Sequence, residues 1–138
     1  MKPYVLSKVP EEDVKLFEKI RQIVNDLPDI IFGKNEKEEE LILSCHILAR
    51  AIGKVFALKH IDGYFYPHYQ HTWLLTPQGN IIDVYPVAIL GGPILMDGSL
   101  FSPARWLYKK KRILHGETKK PSFRRALKIV EMLIRKML

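Results

Sequence analysis

The sequence predicts an α+β fold, with N-terminal helices packed on a small antiparallel sheet and a closing C-terminal helix. Two observations predict it. Helical periodicity marks both ends of the chain, and between them lies a run of β-branched and aromatic segments. Those segments are separated by turn residues, not by crossover helices, which favours antiparallel pairing. The 138 residues fit a single domain over 1–138 and leave room for one hydrophobic core. There is no repeat, low-complexity linker or domain boundary.

Residues 10–27, PEEDVKLFEKIRQIVNDL, read as the first helix. Val14, Phe17, Ile20, Val24 and Leu27 recur every three or four residues. Pro10 and the acidic Glu11, Glu12 and Asp13 suit its positive N-terminal end, and Pro28 ends it. DIIFGKN is a connector. A second helix falls within EKEEELILSCHILARAIGKVF, with Leu41, Cys45, Leu48, Ala49 and Ile52 on one face and Gly53 as the expected stop. The spacing lets this helix begin a turn or two before Cys45, with Ser44 as the later candidate cap.

Residues 55–66, VFALKHIDGYFY, have strand composition with a bend expected at Gly63. Residues 71–76 and 80–86 form a hairpin over TPQGN, with Gly79 in the left-handed position. VAILGGPILMDGSLFSP reads as a covered loop with room for one short strand, and PARWLYKKKRIL holds a short helix. Residues 121–138 form the closing amphipathic helix. Ser122 is its expected cap, and its stripe is Phe123, Leu127, Val130, Leu133, Ile134 and Met137.

Composition narrows the function. No apolar run approaches the roughly 20 residues of a membrane span. The N-terminal MKPYVLSKVPEED lacks the apolar stretch of an export signal. With a single cysteine, this makes a cytoplasmic setting the expectation. The net charge of +7 is uneven. From Lys109 to Leu138 there are 11 Lys and Arg against two Glu, a balance of +9, while residues 1–108 balance to −2. Lys109, Lys110, Lys111, Arg112, Arg124 and Arg125 are the candidate surface for nucleic acid or another polyanion. A solvated helix face is the plainer reading of the same charges.

The chemistry concentrates in HTWLLTPQGNIIDVYP. Side chains alternate across a strand, so His71, Trp73 and Leu75 share a face, as do Ile81, Asp83 and Tyr85. With Thr76 and Asn80 flanking the loop, Asp83 falls opposite Trp73 and His71 opposite Tyr85, making His71 and Asp83 diagonal neighbours. Asp is depleted in strands and costly to bury unpaired, so Asp83 asks for a partner. An aspartate on one imidazole nitrogen fixes the tautomer and frees the other nitrogen to act on a nucleophile. The only thiol is Cys45. A helix starting close to it would lower its pKa and offer a backbone N–H to an oxyanion.

The order of Cys45 on a helix, HTW on a strand and IIDVYP on the next resembles the papain-like fold superfamily, especially its small transglutaminase-like branch. The resemblance covers about residues 41–86. It implies a papain-like fold in which Cys45 is the nucleophile, His71 the general base and acid, and Asp83 the orienting group. It also implies an amide, peptide or other acyl substrate. Trp73, Tyr64 and Tyr69 are the candidate substrate-binding residues, drawn from an aromatic cluster whose plainer reading is sheet packing. Ser44 is a weak rival nucleophile. His68 and His71 form an HxxH pair that His46 and His60 could join, but in a loop entering a strand this spacing has no geometric force, so no metal or cofactor is expected. GGPILMDG lacks the strand and helix context of a phosphate loop. The alternative function is a non-catalytic binding module that docks a polyanion through the basic segment and buries Cys45.

Overall fold

The computed structural model describes residues 4–84, 92–114 and 116–138. The first helix, α1 (Glu11–Asp26), buries Val14, Phe17, Ile20 and Ile23. Its first turn is acidic, as its dipole favours. One of those acids, Asp13, is buried and accepts from the Thr76 hydroxyl at 2.8 Å and the Asn80 amide at 2.7 Å. That contact anchors the turn between Thr76 and Asn80 to α1.

The acidic stretch before Cys45 is not helical. Asn35 accepts from the backbone N–H of Lys37 at 2.8 Å and of Glu39 at 3.0 Å, so this stretch folds as a turn. The second helix, α2, is Cys45–Phe56, and the Ser44 hydroxyl caps it by accepting from Ile47 N–H at 3.3 Å. Leu41 therefore lies outside the helix face expected for it. Gly53 does not stop α2. A Cβ there would sit 2.9 Å from the Leu58 carbonyl, so the glycine allows the chain to double back, and the left-handed Ala57 (φ 56°) makes the exit.

Five antiparallel strands follow: β1 (Lys59–Phe65), β2 (Tyr69–Leu75), β3 (Ile81–Asp83), β4 (Ile94–Met96) and β5 (Tyr108–Lys110), in the order β4-β3-β2-β1-β5. The expected strand over 55–66 thus starts late, because α2 takes its first residues. The hairpin register is as expected: Leu74 pairs with Ile82 and Leu75 with Ile81, with Gly79 at φ 83°. Tyr85 lies outside the described residues. The loop after β3 supplies β4, and a short α3 (Ala104–Leu107) runs directly into β5, a strand not expected from its lysine-rich composition. After a 3-10 turn at Glu117–Lys119, α4 (Pro121–Met137) closes the chain. Ser122 is not its cap. The residue lies inside the first turn, and its N–H and hydroxyl both donate to the Glu36 carboxylate.

One sheet face, with Leu74, Ile82 and Leu95, packs with α1, α2 and α4 into the main core. The opposite face carries a smaller cluster of Ile61, Trp73, Ile81, Ile94, Met96, Ala104 and Tyr108. No described helix is long and apolar enough to cross a membrane.

Gly63 is where β1 is squeezed between β2 and β5. An added Cβ would come within 2.0 Å of the Lys109 carbonyl and 2.8 Å of the Trp73 ring. Backbone on that side has no rotamer with which to give way. Gly63→Ala is therefore expected to cost about 3 kcal/mol by forced separation of β1 and β5. A denaturant melt checks this: a midpoint equal to wild type would mean the strands part freely.

Candidate functional site

Three sequence separations close at one place. Cys45 is the first residue of α2 and is half-buried. His71 lies early in β2, and Asp83 ends β3. The β2–β3 ladder reaches only Leu74–Ile82, and beyond it the strands are joined side chain to side chain. His71 Nε2 is 2.8 Å from Asp83 Oδ2, with the carboxylate buried. An ionised carboxylate can only accept, so Nε2 carries the proton and Nδ1 is left for the thiol. The rings of Phe65, Trp73 and Tyr108 surround the imidazole, at centroid distances of 6.0, 6.3 and 6.3 Å.

The electrostatics follow. Burial works against the charged His71 ring, but hydrogen bonds to Asp83 and to the Cys45 sulfur outweigh it and raise its pKa to about 9. Burial likewise opposes a Cys45 thiolate. Hydrogen bonds from His46 and His71, with the charges of both rings, overcome this and bring the thiol down to about 6. Between those values the favoured pair is thiolate and imidazolium. The Cys45 and His46 N–H groups at the start of α2 also lack intrahelical acceptors, as first-turn donors do.

Two partners of the site were not legible as such in the sequence. Tyr108, from β5, donates its hydroxyl to Asp83 Oδ2 at 2.7 Å. Burial and the neighbouring carboxylate push its own pKa far up, so it stays a donor. The other is His46, noted beforehand only as a remote metal ligand. Its Nδ1 is 2.7 Å from the Thr72 hydroxyl. Thr72 gives its single proton to Asp62 at 2.6 Å, so it must accept from His46 Nδ1–H. His46 therefore donates Nδ1–H to Thr72, and Nε2 is its ring nitrogen outside that network. Arg50, one helical turn on, braces the network by donating to His46 O, Thr72 and Asp62. The available signals were the i, i+4 spacing of His46 and Arg50 and the facing pair Asp62 and Thr72 in the β1–β2 register.

The aromatic candidates separate. Trp73 is buried against Tyr108 at 5.1 Å, walls in His71, and lines a shallow cleft with Ile61, Leu75 and Ala104 away from the thiol. Tyr69 is exposed and stacks on His68. Tyr64 lines a cleft with His46 and Gln70. Ser44 is occupied in capping α2. The basic residues separate too. Lys109 and Lys110 are exposed on the edge strand β5, and Lys111 and Arg112 line the Tyr64 cleft. Arg124 is exposed on α4. Arg125 donates to the Phe32 and Lys34 carbonyls at 3.1 Å each, which pins the loop before α2. Among the described residues no cluster of three or more His, Cys, Asp or Glu side chains is arranged to hold a metal ion.

No protein-family model, curated protein or solved structure significantly matches this chain.

Proposed function

We propose that this chain is a small thiol hydrolase or acyltransferase of transglutaminase-like type, with Cys45, His71 and Asp83 as its triad. The observation that carries the reading is the buried 2.8 Å His71–Asp83 pair set against a half-buried thiol at a helix start. The Cys45 thiolate attacks the carbonyl carbon of an amide, ester or thioester, forming a C–S bond and an oxyanion. The Cys45 N–H is the backbone donor placed to receive that charge. Collapse of the oxyanion breaks the bond to the leaving group, which takes the Nδ1 proton of His71. Water or an amine then gives a proton to His71 and attacks the thioester, and the thiolate departs. Asp83 holds Nε2–H throughout, so the ring keeps one orientation in both halves of the cycle.

The test is direct trapping. Incubation with an activated short-chain ester, followed by intact-mass and peptide analysis, is expected to place one acyl group on Cys45. Cys45→Ala is expected to carry none. Turnover should be bell-shaped in pH. It rises through about 6 as the thiol ionises and falls through about 9 as the imidazolium loses the proton the leaving group needs. Acyl groups scattered over surface lysines, with Cys45 unmodified, would sink the reading.

A further inference from the structure

The cleft on the His46 side of the thiol has a composition of its own. Its volume is about 710 Å³, and Tyr64, Gln70, Lys111, Arg112 and Leu114 line it together with His46. The Lys111 backbone N–H donates to the Asp62 carbonyl at 3.0 Å, which fixes this basic segment against the strand that braces His46. Lys111 Nζ lies 5.9 Å from the Tyr64 ring centre. Among the described residues, neither Lys111 nor Arg112 forms an ion pair with a carboxylate. The one acid on the lining, Glu117, is paired with Lys120 at 3.0 Å.

The geometry points to a substrate that carries an anionic group, a carboxylate or a phosphate, seated by Lys111 and Arg112 beside the reacting thiol. This rests on the thiol chemistry proposed above and names its substrate class. Two cations without a carboxylate partner, adjacent on one cleft that His46 also lines, attract an anion more strongly than the same charges far apart. The volume suits a small molecule or one end of a peptide, since ligand pockets run to roughly 300–1,000 Å³. A polyanion track would need a longer groove, and the outward-facing Lys109 and Lys110 do not line this cleft.

Two alkylating agents that differ only in charge test it. Iodoacetate is an anion, and iodoacetamide is its neutral counterpart and internal reference. The ratio of their rates at Cys45 is expected to fall about tenfold in Lys111→Gln/Arg112→Gln, and in wild type on raising the salt from about 0.02 to 0.5 M. Whichever of inorganic phosphate and succinate slows iodoacetamide labelling at the lower concentration identifies the anionic group. A ratio unchanged in the double variant, with iodoacetamide still labelling native Cys45, overturns the anion site alone. A native thiol inert to both reagents overturns the thiol chemistry and the anion site together.

Discussion

Cys45 is expected to alkylate in the folded protein with a rate midpoint near pH 6, well below the roughly 8.5 of a free cysteine. The midpoint is the decisive quantity, not the speed at neutral pH. A thiolate of lower basicity is also a weaker nucleophile, by roughly tenfold for a drop of this size at a Brønsted slope of about 0.4–0.5. At pH 7 the larger thiolate fraction and the weaker nucleophile nearly cancel, whereas near pH 6 the fraction wins. His71→Ala removes a hydrogen bond and a positive charge, and should raise the midpoint by about 1–3 units. His46→Ala should raise it too, since the His46 ring also works to lower the thiol pKa. A thiol that belonged only to the core would behave in the opposite way. It would react slowly in the native protein and faster whenever a mutation loosened the fold. Circular dichroism on each variant separates the two cases, and resistance of the native thiol until unfolding would end the catalytic reading.

The sequence was most legible where the signal was local. The period of α1 and α4, the Gly79 turn and the hairpin register follow from neighbours within a few residues, and the register brought His71 and Asp83 together on paper. It was least legible where the deciding partner is distant. The run before Cys45 has helical composition, but Asn35 turns it, and so α2 starts at Cys45 with Ser44 as its cap. Glu36, far away in sequence, satisfies the start of α4, so Ser122 is not needed as the cap. The β5 strand consists of three residues whose only claim to be a strand is the pairing of Tyr108–Lys110 with β1, a contact no local pattern encodes. Since β5 carries Tyr108, the support beneath Asp83 was hidden with it. Trp73 packs the sheet, which its aromatic cluster suggests, but how deeply is not a local property. Its burial depends on β5 and α3 covering that face of the sheet.

Asp83→Asn is expected to lower acyl transfer by about 10³–10⁴-fold while leaving the fold in place. The aspartate accepts from both His71 Nε2–H and the Tyr108 hydroxyl. Asparagine is nearly the same shape but has one carbonyl oxygen and one NH₂. Both donors meet the same oxygen, Oδ2, so an NH₂ placed there faces Nε2 and donates to it. The neutral ring must then hold its proton on Nδ1, where it confronts the thiol and cannot take the thiol's proton. Loss of the carboxylate charge also removes what holds the imidazolium pKa up, so the Cys45 alkylation midpoint should rise with it. Tyr108→Phe is the matching control. It deletes one donor to Asp83 but leaves the His71 contact, so the rate should fall less than about tenfold, with a stability loss of about 1–3 kcal/mol from the lost buried hydrogen bond. The pair of readouts separates orientation from packing. If Asp83→Asn keeps the wild-type midpoint and rate, or if Tyr108→Phe matches its loss of rate, then Asp83 serves the core and not the histidine.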